Sequence, residues 1–167
     1  ELMKTFGISK LKMLTLTLRI RKEMSAHLHE MKPFPGIAGA LGEIRNSGYR
    51  LGILTSNSVE NVRKFLDLNS MKDYFDFVSS GRSFLGKEKV IRKLIIREQL
   101  DPGRIVYVGD ETRDIEASRA AGIPVIAVSW GLNRRELLAS LLPDQIADTP
   151  EELPGRVRKI FESRPAT

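Results

Sequence analysis

The chain has 167 residues, of which 41% are hydrophobic and 29% are charged, a balance typical of a soluble globular domain with a real core. No apolar run is long enough to span a membrane and no stretch resembles a signal peptide, so we expect a cytoplasmic protein with no membrane partner. Cysteine is absent and the histidines, His27 and His29, lie together, which excludes disulfides and disfavours a zinc centre or a serine-histidine triad.

The net charge of +6 is concentrated at the start of the chain. Residues 1–36 hold seven Lys or Arg and three Glu, so +4 of the +6 lies there. Such a segment can steer anionic ligands such as phosphate esters to a nearby site, or contact nucleic acid or acidic lipid. Neither interleaved aromatic residues nor a glycine-clamp motif accompanies these charges, so we favour a solvated helix face and expect no nucleic-acid partner.

The first predicted element is a helix over 10–31, because apolar residues recur there at helical spacing. Pro33 and Pro35 end this helix, since proline lacks the backbone N–H that a helix interior needs. We place the boundary between two units at this point, with residues 1–32 as one unit and 33–167 as the other.

From residue 36 onward the chain alternates between predicted helices and apolar strands. Repeated strand-helix units imply a parallel sheet with helices on both faces, so the predicted fold class is α/β with a Rossmann-like sheet. In such sheets ligands bind at the carboxyl ends of the strands. Strands are predicted near 51–54, 77–79, 105–108 and 125–128, and helices near 36–46, 59–67, 87–98, 112–121, 133–141 and 151–161.

Two carboxylates four residues apart follow the third predicted strand. Asp110 comes directly after this strand, whose Val108 is expected to be buried, and Asp114 falls in the first turn of the next helix. Two close carboxylates repel each other unless a cation lies between them, which favours a hard metal such as Mg²⁺. The alternative is an acidic helix cap, in which Asp110, Glu111 and Asp114 stabilise the helix N-terminus.

Polar residues at two other predicted strand ends share the same edge of the sheet. The first strand leads into Thr55, Ser56 and Asn57, whose hydroxyl and N–H groups can donate to an anion. After the second strand, Lys87 begins a helix, where a cation opposes the helix dipole. An exposed lysine at a helix start is common, and Lys89 is an equally basic neighbour that the spacing does not exclude.

These motifs, in this order, resemble the haloacid dehalogenase superfamily of phosphatases and related hydrolases. The resemblance covers residues 33–148 and rests on the segments LGILTSN, GKEKVIRKL and VGDETRDIEASRAAGIPVIAVSWG. The arrangement looks most like the phosphoglycolate-phosphatase-like branch, in which a helical cap lies between the first two motifs. The resemblance implies that 1–32 is the end of that cap and that 33–167 is the core.

The resemblance also implies a mechanism and a set of site residues. Members of the family form an aspartyl-phosphate on an aspartate nucleophile, and water then hydrolyses it. By this resemblance Thr55 would bind the phosphoryl oxygens and Lys87 would neutralise their charge. Asp110 would ligate Mg²⁺, and Asp114 would hold a metal-bound water or the lysine. The implied cofactor is therefore Mg²⁺, and the implied substrate is a small phosphorylated metabolite.

One family motif has no counterpart in the 167 residues. The Asp-x-Asp-x-Thr/Val segment that carries the nucleophile is not present, and no other aspartate follows a strand in the required way. We expect the intact protein to contain several dozen further N-terminal residues, and the 167 residues alone to be inactive. The strand that bears this motif is central in the family, so its absence would leave two unpaired inner strand edges.

Other functions compete with a phosphatase. The scaffold can serve as a non-catalytic binding module, or it can catalyse another reaction of the superfamily. Dehalogenases need no Mg²⁺, so the carboxylate pair argues against a dehalogenase. A phosphomutase needs cap residues that are mostly absent from this chain. A receiver domain also combines acids, a hydroxyl and a lysine, but its acid pair comes first, whereas here the pair follows the lysine. The substrate and the oligomeric state are not predicted.

Overall fold

A computed structural model describes residues 25–81 and 86–163, together with positions 15, 16, 19, 20 and 23. The described positions from 15 to 26 are helical, and a turn follows at 27–30. The predicted helix over 10–31 therefore lies partly outside the described residues, and its end was placed too late. The backbone leaves the helix there through bonds to the third residue back, from Glu30 to His27 and from Met31 to Leu28.

The described core alternates helices and strands as predicted. The strand bounds agree with the predictions closely except at β5, which the sequence analysis did not identify. The helices are α1 (Ile37–Asn46), α2 (Val59–Leu68), α3 (Lys87–Arg97), α4 (Thr112–Ala121), α5 (Arg135–Ser140) and α6 (Leu153–Glu162). The strands are β1 (Gly52–Thr55), β2 (Phe77–Ser80), β3 (Tyr107–Gly109), β4 (Val125–Val128) and β5 (Gln145–Ala147).

The strands form two parallel sheets. β1 pairs with β2, and β3, β4 and β5 form a second sheet in that order. The parallel α/β class is confirmed, but among the described residues the strands are divided between two sheets, and β1 and β3 are not hydrogen-bonded to each other. The facing edges of β1 and β3 border a cleft, which we call the central cleft.

Val108 shows the consequence of this division. It lies in the middle of β3, yet 39% of its surface is exposed. The prediction that Val108 is buried was wrong, because a strand residue is covered only when a neighbouring strand or helix packs against it.

The core lies mainly around β4, which is buried along its whole length. Helices α1 and α6 cover one face of β4 and helices α4 and α5 cover the other, so its β-branched residues are covered on both sides. A third cluster joins α3 to α4 and extends to the edges of the central cleft. These contacts fix the starts of α3 and α4, where the candidate site residues lie.

Candidate active site

The central cleft lies at the carboxyl ends of β1 and β3 and has a volume of about 260 Å³. This is the edge at which open α/β sheets bind ligands. Five of the six predicted site residues line the cleft, namely Thr55, Ser56, Lys87, Asp110 and Asp114.

Asp114 is buried and uses its two oxygens for different partners. Oδ1 forms an ion pair with Lys87 Nζ, and Oδ2 accepts a hydrogen bond from the backbone N–H of Glu111 at 3.1 Å. The first contact compensates a carboxylate that is only 1% exposed, and the second caps α4. Asp114 therefore caps α4 and pairs with Lys87 at the same time. A helix cap and a role in a charged cleft do not exclude each other for this residue.

Lys87, and not Lys89, faces the central cleft. Lys87 is the first residue of α3, and the ion pair with Asp114 holds its ammonium group in the cleft. The same group lies 5.8 Å from the centre of the Tyr107 ring, within the range of a cation-π contact. Lys89 is exposed and does not line the cleft.

Tyr107 is a residue of the cleft that the sequence analysis missed. It lies in β3, where burial, and then the neighbouring Asp114 carboxylate, raise the pKa of its phenol well above its ordinary value. The phenol therefore stays protonated and can act as a donor beside Asp114. A tyrosine inside an apolar strand was the available signal, because a buried phenol needs a polar partner.

Asp110 follows β3 and is held by the loop after β4. The Leu132 N–H donates to Asp110 Oδ2 at 2.7 Å, and the Asn133 N–H donates to the backbone oxygen of Asp110 at 3.1 Å. These two bonds hold the Asp110 carboxylate in place, and the carboxylate keeps acceptor capacity for a cation. The sequence alone predicts no functional role for this loop.

The carboxylates of the cleft fit a hard metal ion. Asp110, Glu111 and Asp114 each offer an oxygen, and these oxygens lie within 4.8 Å of one another. Magnesium prefers such ligands. Glu111 also accepts a hydrogen bond from Arg113 at 2.8 Å, and this contact raises the pKa of the Arg113 guanidinium. Glu111 is therefore already partly neutralised by Arg113, and Asp114 by Lys87, which leaves Asp110 as the main source of negative charge for a metal ion.

The end of β1 presents Thr55 to the cleft and the loop that follows presents Ser56, whereas the Asn57 side chain bonds within this loop. Asn57 Oδ1 accepts from the Ser58 N–H at 2.8 Å and from Asn61 Nδ2 at 3.2 Å. The Asn57 N–H donates to Thr55 Oγ1 at 3.0 Å. Asn57 is a predicted substrate contact, but it does not line the cleft. Its hydrogen bonds instead shape the loop that follows Thr55.

Comparison with known proteins shows the family of the chain. Residues 1–128 match the profile described as haloacid dehalogenase-like hydrolase, so the chain belongs to that family. The phosphoglycolate phosphatase of Synechococcus elongatus is 36% identical over 155 residues, which are 93% of this chain and 73% of that protein. The phosphoglycolate phosphatase of Salmonella typhi is 32% identical over 123 residues, 72% of this chain and 49% of that protein. The chain thus spans about half the length of several curated relatives that it matches.

Solved structures show the same fold. A haloacid dehalogenase-like hydrolase from Streptococcus pneumoniae superposes with a TM-score of 0.76 at 27% identity, covering 92% of this chain and 74% of that one. CbbY from Rhodobacter sphaeroides, solved in complex with phosphate, has a TM-score of 0.66 at 25% identity, covering 80% and 62%. The family and fold inferred from the sequence are confirmed. Among the described residues, no helix is both long and apolar enough to cross a membrane.

Proposed function

We propose that the complete protein is a Mg²⁺-dependent phosphatase that hydrolyses a small phosphate ester through an aspartyl-phosphate. The observation that carries this proposal is the convergence of Thr55, Asp110 and the Lys87–Asp114 ion pair on one cleft. A hydroxyl donor, an ammonium group and a carboxylate that can bind metal are the groups that phosphoryl transfer needs, since the reaction depends on positioning and charge neutralisation.

Each residue has one part in the proposed reaction. Thr55 Oγ–H and the nearby Ser56 donate to phosphoryl oxygens, and Lys87 neutralises their negative charge. Asp114 orients the Lys87 ammonium group through their ion pair. Asp110 holds Mg²⁺, which supplies further positive charge next to the phosphoryl group when it is bound.

The nucleophile completes this arrangement from a strand seated between β1 and β3. The facing edges of these strands support such a seat, because they share no ladder and Val108 is exposed between them. An aspartate oxygen at the end of that strand would attack phosphorus, and the ester oxygen would leave as the alcohol after taking a proton from the second aspartate of the Asp-x-Asp motif, which would act as the general acid. Water would then attack the same phosphorus, releasing phosphate and restoring the carboxylate. Residues 1–32 as the end of a cap, and 33–167 as the core, belong to the same proposal.

A small phosphorylated carboxylate is the first substrate class to test, because the curated relatives are named phosphoglycolate phosphatase. The basic excess of residues 1–36 is compatible with such an anion. A cytoplasmic location remains a prediction from the sequence, as does the expectation that no nucleic acid or membrane is bound.

The proposal is tested by measuring phosphate release by the full-length protein. 2-Phosphoglycolate, an aryl phosphate and a panel of sugar phosphates are supplied with Mg²⁺ or with a chelator. We expect hydrolysis of at least one ester with Mg²⁺ and its loss on chelation. A folded full-length protein that hydrolyses none of them would contradict the proposal and favour a non-catalytic binding module.

A further inference from the structure

The loop between β4 and α5 surrounds Asp110 on one side. We call residues 129–134 the β4–α5 loop. Beyond the two backbone bonds to Asp110, Asn133 Oδ1 accepts the N–H of Thr112 at 2.9 Å and so caps the helix that follows Asp110. The loop therefore contacts the carboxylate, the backbone oxygen and the next helix at three separate points.

Gly131 permits this close approach. A Cβ atom at this position would lie 2.1 Å from Asp110 Oδ2, well inside van der Waals contact. The carboxylate packs against the loop backbone, and its orientation depends on where that backbone runs.

Ser129, at the start of the β4–α5 loop, and Arg135, directly after its end, are both tied to Asp148, which follows β5. Ser129 Oγ donates to Asp148 Oδ1 at 2.8 Å, and Arg135 Nε contacts Oδ1 and Oδ2 at 2.9 and 3.0 Å. The Asp148 N–H donates to Glu152 Oε2 at 3.2 Å, and Glu152 accepts from Arg156 at 2.9 Å. Asp148 is thus linked to α6 on one side and to the loop on the other.

We infer that Asp148 is a positioning residue for Asp110. It holds Ser129 and Arg135, which lie on either side of the loop backbone that contacts the Asp110 carboxylate, and so keeps this carboxylate at the central cleft. This inference rests on the proposed function, because the orientation matters if Asp110 binds Mg²⁺. Groups that orient metal ligands change metal affinity when they are removed, even though they do not touch the metal.

The test compares two aspartates that hold opposite ends of β4. Asp148→Ala removes the contacts at the carboxyl end. Asp144→Ala is the matched control, because Asp144 Oδ2 accepts from the Val125 N–H at 2.9 Å at the amino end, far along the strand from Asp110. Full-length proteins are titrated with Mg²⁺ alone by calorimetry, and the free energy of unfolding and the amide exchange of 131–133 are measured in parallel.

We expect Asp148→Ala to weaken Mg²⁺ binding about tenfold, the lower end of the range for groups that orient metal ligands. Amide exchange at 131–133 should become faster in the same variant. Asp144→Ala should lose stability while keeping its Mg²⁺ affinity. Asp148→Asn retains an acceptor oxygen for Ser129 and should recover part of the affinity.

The outcomes separate this inference from the proposed function. Unchanged Mg²⁺ affinity in Asp148→Ala, or equal losses of affinity in Asp148→Ala and Asp144→Ala, would overturn the inference alone. A wild-type protein that binds no Mg²⁺ would contradict the proposed function, and the positioning of a metal ligand with it.

Discussion

Asp114 combines a structural role and a chemical role because its two oxygens face different groups. Oδ2 caps α4 and Oδ1 holds Lys87 in the central cleft. The Lys87 ammonium group and the helix cap offset the cost of burying this carboxylate. Removing Lys87 would therefore leave a buried charge without its partner. Tyr107 lies against both members of the pair, and its neutral phenol adds no charge that would disturb them.

Replacing Lys87 with Met tests the proposal that Lys87 is the active-site lysine. We expect the phosphatase activity of the full-length protein to fall by about 10²-fold or more, because a preorganised positive charge is lost. We also expect a loss of about 3–5 kcal/mol in the free energy of unfolding, since Asp114 is left buried without its cation. Lys89→Met is the control, because Lys89 is exposed outside the cleft. Equal activity in the two variants would show that Lys87 is not the active-site lysine.

Strands and helices were predicted correctly where the residues of a single segment are enough to indicate its structure. The apolar runs of β1, β2 and β4 identified these strands, and the polar residues at the ends of β1 and β3 indicated the edge of the sheet at which Thr55 and Asp110 line the cleft. The strand β5 was missed because it has three residues and begins next to Asp144, in a segment that favours a turn.

The remaining parts of the site depend on contacts between distant segments. Asp110 and Leu132 are 22 positions apart, and Ser129 and Asp148 are 19 apart. Neither pair has a spacing that a helix or strand would reveal. The exposure of Val108 was likewise set by its neighbours in space and not by its own strand.

The ion pair at the end of β5 predicts a pH dependence of stability. The hydrogen bond from Ser129, and then the contact with Arg135, lower the pKa of Asp148 below its ordinary value. A lowered carboxyl pKa contributes stability above the unfolded pKa, and that contribution is lost as the pH falls through the folded pKa. The stability difference between wild type and Asp148→Asn should therefore be larger at about pH 6 than at about pH 2. Urea unfolding at both values measures it, and a difference independent of pH would contradict the assignment.

In the molecule as a whole, the two sheets are separated by the central cleft, and the edge strands β1 and β3 lie on its two sides. The cleft is bordered by β1 and β3 and lies where Thr55, Lys87 and Asp110 meet. Exposed strand edges are a site for pairing with another strand. The proposed nucleophile strand would join the two sheets into one and bring its own carboxylate to the same edge.

Val108 reports whether this strand is present. If a strand pairs between β1 and β3 in the full-length protein, Val108 becomes buried and Val108→Lys should cost about 2–4 kcal/mol in the free energy of unfolding. Leu142→Lys serves as the control, because Leu142 is 80% exposed and should tolerate the change. A Val108→Lys protein as stable as the control would show that the cleft remains open.

Asp110→Asn in the full-length protein tests whether Asp110 binds the Mg²⁺ on which the proposed phosphatase activity depends. This substitution keeps the size of the side chain and an acceptor oxygen for the Leu132 N–H, but removes the charge that binds Mg²⁺. We predict that Mg²⁺-dependent phosphate release is abolished while urea unfolding changes little. A folded Asp110→Asn protein with wild-type phosphatase activity would contradict the proposal that Asp110 binds the Mg²⁺ needed for phosphate release.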